Sequence, residues 1–232
     1  MKKLIIIFTL TLLSFYQVHS QTIEYKYSCG DSKATIIWNK SRENNLIYLK
    51  TTQGNEINKY VMTPDYHTIS WEYSNQDKNT NIRVVLKNGT YKIDGMLKSK
   101  SYSKTYSSNG VPWFQNIGFN IGYSIKEKST FKFECIRPDN LKLYEMQADG
   151  KEVVVHNGIR EQRINVHLTG LLAKFFGCDY YIDLSSGQFI QYKGVSNLSV
   201  AQFHIAAAVR IYVDIDRTGQ RIRSSQRIST CK

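Results

Sequence analysis

Residues 82–97 read IRVVLKNGTYKIDGML, two runs of alternating apolar and polar residues on either side of Asn88-Gly89. Period-two alternation puts every second side chain on the same face of a strand, and an Asn-Gly pair accepts the positive φ angles of a tight two-residue turn. The stretch therefore reads as an antiparallel hairpin with one buried face and one wet face.

The same pattern extends in both directions. Residues 22–28 (TIEYKYS) alternate Ile23, Tyr25 and Tyr27 against Glu24 and Lys26. Strands are expected at 35–38 and 46–51, with a polar break at 39–45, and again at 56–62 and 68–73. Residues 99–108 are Ser, Tyr and Lys with little to bury. Further along, 130–136 (TFKFECI), 141–147 and 152–156, 163–168 (RINVHL), 180–184 and 188–192 carry strand patterning, with hairpin turns expected at Asp149-Gly150 and at Ser185-Ser186-Gly187. Two segments break the rule. In 111–126 (VPWFQNIGFNIGYSIK) both strand and helix periods fit, and the sequence leaves the choice open; Pro112 favours a short helical turn, while Gly118 and Gly122 weaken a helix interior. Residues 171–176 (LLAKFF) form an apolar run that reads as a short helix or a loop plug. Residues 203–215 favour a strand. There are only 3 Pro, no repeat and no linker. The expected fold is mainly β: a single domain, residues 21–232, built as a long antiparallel sheet curled into an open or partial barrel with one or two short helical segments.

The first twenty residues predict export. Lys2 and Lys3 precede a ten-residue apolar run, 4–13, and a more polar segment ending in Ser20. That layout is a cleavable signal peptide; a membrane-spanning helix would need about 20 apolar residues. Cleavage before Gln21 leaves 212 residues with no later membrane-spanning run, in the periplasm or outside the cell. It lowers the formal charge from +12 to +10. A positive balance suits an anionic envelope component, or simply a soluble surface. No nucleic-acid-binding module is present. Cys29, Cys135, Cys178 and Cys231 permit two disulfides in an oxidising compartment, with Cys29–Cys231 and Cys135–Cys178 the preferred pairing and free buried thiols the alternative.

Motifs for chemistry are absent from the sequence. It has no HExxH, no GxSxG and no phosphate-binding loop, and none of His67, His156, His167 and His204 sits in a metal-binding spacing. Asp214 and Asp216 share a strand face but lead into a turn, where carboxylates commonly serve solubility. No cofactor is expected and an enzyme is disfavoured, a hydrolase with an unrecognised site being the third alternative. The 16 Tyr and 10 Phe against 3 Trp suit half-wet strand faces and cavities for amphipathic ligands.

The order Val111-Pro112-Trp113-Phe114-Gln115, the strand at 131–136, the run 163–172 (RINVHLTGLL), 175–181 and 187–194 (GQFIQYKG) resembles a group of exported bacterial proteins of unknown function. Their long antiparallel sheets curl into a partial barrel similar in shape to periplasmic lipoprotein carriers. The likeness covers the second half of the chain and implies a shape and a compartment, not a reaction. It leads to the expectation of non-catalytic binding of an apolar or amphipathic ligand, such as a lipid, with Trp113, Phe114, Leu171, Leu172, Phe175 and Phe176 bordering the cavity. The alternative is an envelope interaction module that binds a protein or glycan through its basic, tyrosine-rich surface.

Overall fold

The computed structural model describes residues 20–29, 32–124, 129–156, 158–170 and 177–194. Residues 1–19 of the expected signal peptide, four of the six expected cavity residues (Leu171, Leu172, Phe175, Phe176), the strand expected at 203–215, and Asp214 and Asp216 lie outside them. Strands β1 (Ser20–Cys29), β2 (Ser32–Glu43), β3 (Leu46–Gln53), β4 (Glu56–Met62), β5 (Thr68–Asn75), β6 (Thr80–Lys87), β7 (Thr90–Leu97) and β8 (Lys100–Ser107) form one antiparallel sheet in sequence order. The Asn88-Gly89 hairpin forms as expected, with φ of +51° and +70°. The polar stretch at 39–45, expected to separate two strands, is largely strand itself. It supplies the wet face of β2, and the chain turns only at Asn44-Asn45, both at positive φ. β8 pairs with β7 alone and is mostly exposed, as its composition suggests.

After a connection and one helix, α1 (Ile117–Ser124), come β9 (Thr130–Ile136), β10 (Leu143–His156), β11 (Ile159–Leu168), β12 (Gly177–Asp183) and β13 (Phe189–Gly194). They form a second antiparallel sheet in the order β13-β12-β11-β10-β9. The fold is thus mainly β: the described residues form two sheets with one helix and no closed barrel. The hairpin expected at Asp149-Gly150 is not there. β10 runs straight through it, with a bulge between Gly150 and Val153. The Gly150 amide donates to Ser129 O at 2.8 Å, and Asp149 receives hydrogen bonds from Thr130 and Gln147, so both residues are used within the sheet. The chain reverses between His156 and Ile159 instead, with Gly158 at φ +78°.

The Pro-Trp-Phe-Gln step joins the two sheets. Trp113 O accepts from the Thr68 amide of β5 at 2.8 Å, while Pro112 O and the Phe114 amide pair with the backbone of Glu134 on β9. Gln115 then acts as a piece of strand: its Nε2 donates to Ile136 O at 2.8 Å, and its Oε1 accepts from the Ile136 amide at 3.1 Å. The same Oε1 accepts from Trp113 Nε1 at 2.8 Å. Because buried backbone groups must find partners, this side chain lets an irregular segment cross the interior. α1 follows, with Asn116 as its N-cap accepting from the Phe119 amide.

One contiguous core lies between the sheets. Alternate residues of the first sheet (Trp38, Leu49, Trp71, Val84, Ile93) face Phe133, Met146, Val166, Tyr180 and Phe189 of the second, with Phe119 and Ile121 of α1 between them. Trp38 lies 5.9 Å from Phe119 and 6.0 Å from Phe189, ring centre to ring centre.

The expected Cys135–Cys178 disulfide does not form; both thiols are free and buried. β10 and β11 lie between β9 and β12, so the two cysteines are three strand spacings of about 4.8 Å apart across the sheet. A disulfide tolerates Cα separations of only about 4.4–6.8 Å. The Cys29–Cys231 pairing falls outside the described side chains. Burial pushes both core thiols up to about 12. Brief iodoacetamide treatment of native protein should therefore leave the peptides carrying Cys135 and Cys178 unmodified, and the same treatment in urea should label both. Labelling of either residue in the native protein would contradict their placement.

Candidate functional site

Of the residues expected to line a cavity, the structure describes two. Trp113 and Phe114 are each 1% exposed. Trp113 packs edge-on against Tyr91 at 5.2 Å, and Phe114 stacks against Phe133 at 5.2 Å. Phe114 also floors a shallow cleft of about 310 Å³ bordered by His67, Pro112, Phe131 and Lys132. The concave side of the large sheet is filled by its own aromatic side chains and by α1.

Three glutamates are buried, Glu56, Glu134 and Glu161; Glu161 meets His156 at 3.6 Å, and the other two are held by converging donors. Glu134 is fully buried on β9. It accepts from Tyr91 Oη and Ser108 Oγ, both at 2.7 Å, and from the Asn109 amide at 2.9 Å. Glu56 on β4 accepts from Asn58 and Asn75, and Trp71 Nε1 donates to Asn58 in turn. Each of these two carboxyls is held at a separate place, so they do not form a pair for acid–base work. Among the described residues no group of three His, Cys, Asp or Glu is arranged to hold a metal ion, and no helix is long and apolar enough to cross a membrane.

The outer faces of the two sheets differ in charge. On the second sheet, acids and bases are matched: Lys132 with Glu145 at 2.9 Å, and Arg163 with Glu152 at 2.7 Å and Asp179 at 3.0 Å. His167 and Lys151 both meet Asp149. Burial alone would raise the Asp149 carboxyl, but hydrogen bonds from Gln147, His167, Thr130 and Lys151 outweigh it and bring it down to about 2. On the first sheet the register lines up one polar row across all eight strands: Thr22, Asn39, Lys50, Lys59, Glu72, Arg83, Asp94 and Ser103. Beside it runs Ser20, Ser41, Tyr48, Val61, Ser70, Val85, Lys92 and Thr105. In these two rows Lys50, Lys59, Arg83 and Lys92 face only Glu72 and Asp94. The ion pairs there are exposed, at 3.2 Å for Lys92–Asp94, 3.5 Å for Lys59–Glu72 and 3.8 Å for Arg83–Glu72, and such pairs contribute little. Lys50 has no ion pair among the described residues. A groove of about 350 Å³ lies over this corner, lined by Asn39, Ser41, Tyr48, Lys50 and Lys59.

A third feature sits at the end of β2, at the mouth between the sheets. Lys40 and Arg42 continue the inward-facing series of Ile36 and Trp38. Tyr66 and Tyr123 stack there at 4.0 Å with their planes 8° apart, and Phe119 meets Tyr123 edge-on. Tyr66 has φ +63°, a left-handed conformation that a bulky residue adopts only under constraint. The constraint is Asn120, fully buried on α1. Its Nδ2 donates to Tyr66 O and its Oδ1 accepts from the Asn116 amide. Sequence reasoning missed this cluster, because Tyr66 stands in a turn and Lys40 in a stretch read as a polar break.

No family model matches the chain, and no curated protein is similar enough to match. Among solved structures it is similar to the crystal structure of a β-barrel-like protein of a domain of unknown function, DUF1849, from Brucella abortus. That likeness has a TM-score of 0.51 at 8% identity and covers 76% of this chain and 91% of that one. At this identity the likeness is one of fold. It agrees with a β-rich protein of unknown function, while the likeness to lipoprotein carriers rests on the sequence resemblance alone.

Proposed function

We propose that the protein is an exported, non-catalytic binding module of the bacterial cell envelope, which docks on a phosphate-bearing envelope surface through the outer face of its eight-stranded sheet. The observation that carries this reading is the contrast between the two outer faces. One is neutralised by close ion pairs; the other holds a surplus of lysine and arginine in register around a groove. Basic residues at an anionic lipid surface contribute about 1 kcal/mol each. The filled concave face favours an exterior ligand over an enclosed one.

Cosedimentation with phosphatidylglycerol vesicles tests the reading. Binding should fall at high salt, and the double variant Lys50→Gln, Lys59→Gln should bind about tenfold or more weakly. Unchanged binding by that variant would reject the outer face as the docking surface. A second reading, uptake of an amphiphile, is favoured by the cleft over Phe114 and Phe131, with Lys132 at its rim. Uptake of a fluorescent fatty acid that is lost on Phe131→Ser, without any vesicle binding, would replace the first reading with the second.

A further inference from the structure

The mouth cluster has a chemistry of its own. Lys40 and Arg42 lie two residues apart on one strand face, and neither has a carboxylate partner among the described residues. Arg42 is near enough to both Lys40 and Tyr66 to perturb them: the Lys40 amine is held below its usual range, first by burial and then by Arg42. Two close cations, one of them half-buried, are unfavourable unless an anion joins them. The rings beside them are placed to receive what carries that anion. Lys40 Nζ lies 4.8 Å from the Tyr123 ring centre and 5.5 Å from that of Tyr66. Because those centres are only 4.0 Å apart, nearly equal distances place the ammonium at the edge of the stacked pair, not on its outer face. Tyr123, 36% exposed, lies beside the two cations with its Cδ1 and Cε1 atoms against Gly187. The strained Tyr66, clamped by Asn120, fixes the other side of the stack, so the platform is built before any ligand arrives.

We propose that Lys40, Arg42 and the Tyr66–Tyr123 stack bind an acidic sugar unit, its carboxylate between the two cations and the C–H face of its ring on Tyr123. A pyranose with a carboxylate on its ring presents both features at once: an apolar face that packs on an aromatic plane and a charge at its edge. A neutral sugar lacks the charge, and a simple inorganic anion has no use for the ring. This site is separate from the lysine rows on the outside of the sheet and does not depend on the reading given to them.

Titration calorimetry with trigalacturonate against neutral galactotriose tests the proposal on the full mature chain. The acidic trisaccharide should bind, weaken with salt, and bind at least tenfold less well to Lys40→Gln and to Arg42→Gln. Tyr123→Ala should lose binding, whereas Tyr123→Phe, which keeps the ring, should stay within about threefold of native, as stacking rather than the hydroxyl carries the contact. Each variant is also melted, so that a loss of fold shows itself separately. The double variant Lys50→Gln, Lys59→Gln should leave this binding unchanged, which separates the mouth from the outer face. Equal binding of the acidic and neutral sugars, no binding of either, or native affinity in the Lys40 and Arg42 variants would overturn the proposal. So would phosphatidylglycerol vesicles requiring Lys40 and Arg42 in the absence of any sugar affinity.

Discussion

Replacing Glu134 with alanine is expected to cost about 2–4 kcal/mol of folding stability, the scale for stranding a buried donor and losing two further hydrogen bonds. The loss has three parts. The Tyr91 and Ser108 hydroxyls and the Asn109 amide all donate to this one carboxyl, and alanine leaves the buried Tyr91 hydroxyl without an acceptor and the half-buried Ser108 and Asn109 bonds to water. The side chain also fixes the point where β7, the end of β8 and the 108–115 crossing meet β9. The Glu134 backbone already pairs with Pro112 and Phe114, so both sheets loosen together. Glu134→Gln keeps one acceptor oxygen but turns a second donor toward donors, and should cost about 1–3 kcal/mol. Urea unfolding of the two variants checks both the size and the order; an alanine variant as stable as native would show that the carboxyl does not join the sheets.

Gly122→Ala should destabilise by about 3 kcal/mol or more, while Gly118→Ala, one turn earlier in the same helix, should be close to neutral. Helix propensity predicts the same gain of about 1 kcal/mol for both, so the difference tests packing alone. A Cβ on Gly122 would lie 2.1 Å from the carbonyl oxygen of Gly187, backbone against backbone, with no side chain free to rotate away. A Cβ on Gly118 meets the Phe189 ring at 3.3 Å and Tyr180 at 3.5 Å, and a ring can shift by a few tenths of an ångström. Thermal melts of the two variants decide it: similar melting temperatures would mean that α1 does not sit against the β12–β13 turn.

Those two glycines show where sequence reasoning reached its limit. In the sequence they weaken a helix; in the fold, Gly122 is what lets the helix lie against the turn. The ambiguity of 111–126 had the same origin. Pro112, Trp113, Phe114 and Gln115 have no regular hydrogen-bond ladder of their own, and their partners, Thr68, Glu134 and Ile136, are between 20 and 47 residues away. No local pattern could announce that Gln115 would serve as a strand residue. The false hairpin at Asp149-Gly150 failed for a related reason: a turn dipeptide within a strand becomes a bulge when its neighbours in space, Ser129, Thr130 and His167, satisfy it.

The sequence by itself determined most of the strands. Alternation decided which residues are strands and which face of each is wet, and Asn-Gly with its kin decided where most strands reverse, because those preferences act between residues close in the chain. Division into two sheets, the crossing that joins them, the filled concave face, the free thiols and the pairing of Tyr66 with Tyr123 beside Lys40 were decided only by the tertiary structure. Each depends on contacts between residues distant in sequence, where burial and hydrogen-bond satisfaction outweigh local propensity. The candidate sites belong to this second group: they are made of ordinary lysines and tyrosines whose meaning comes from register and proximity.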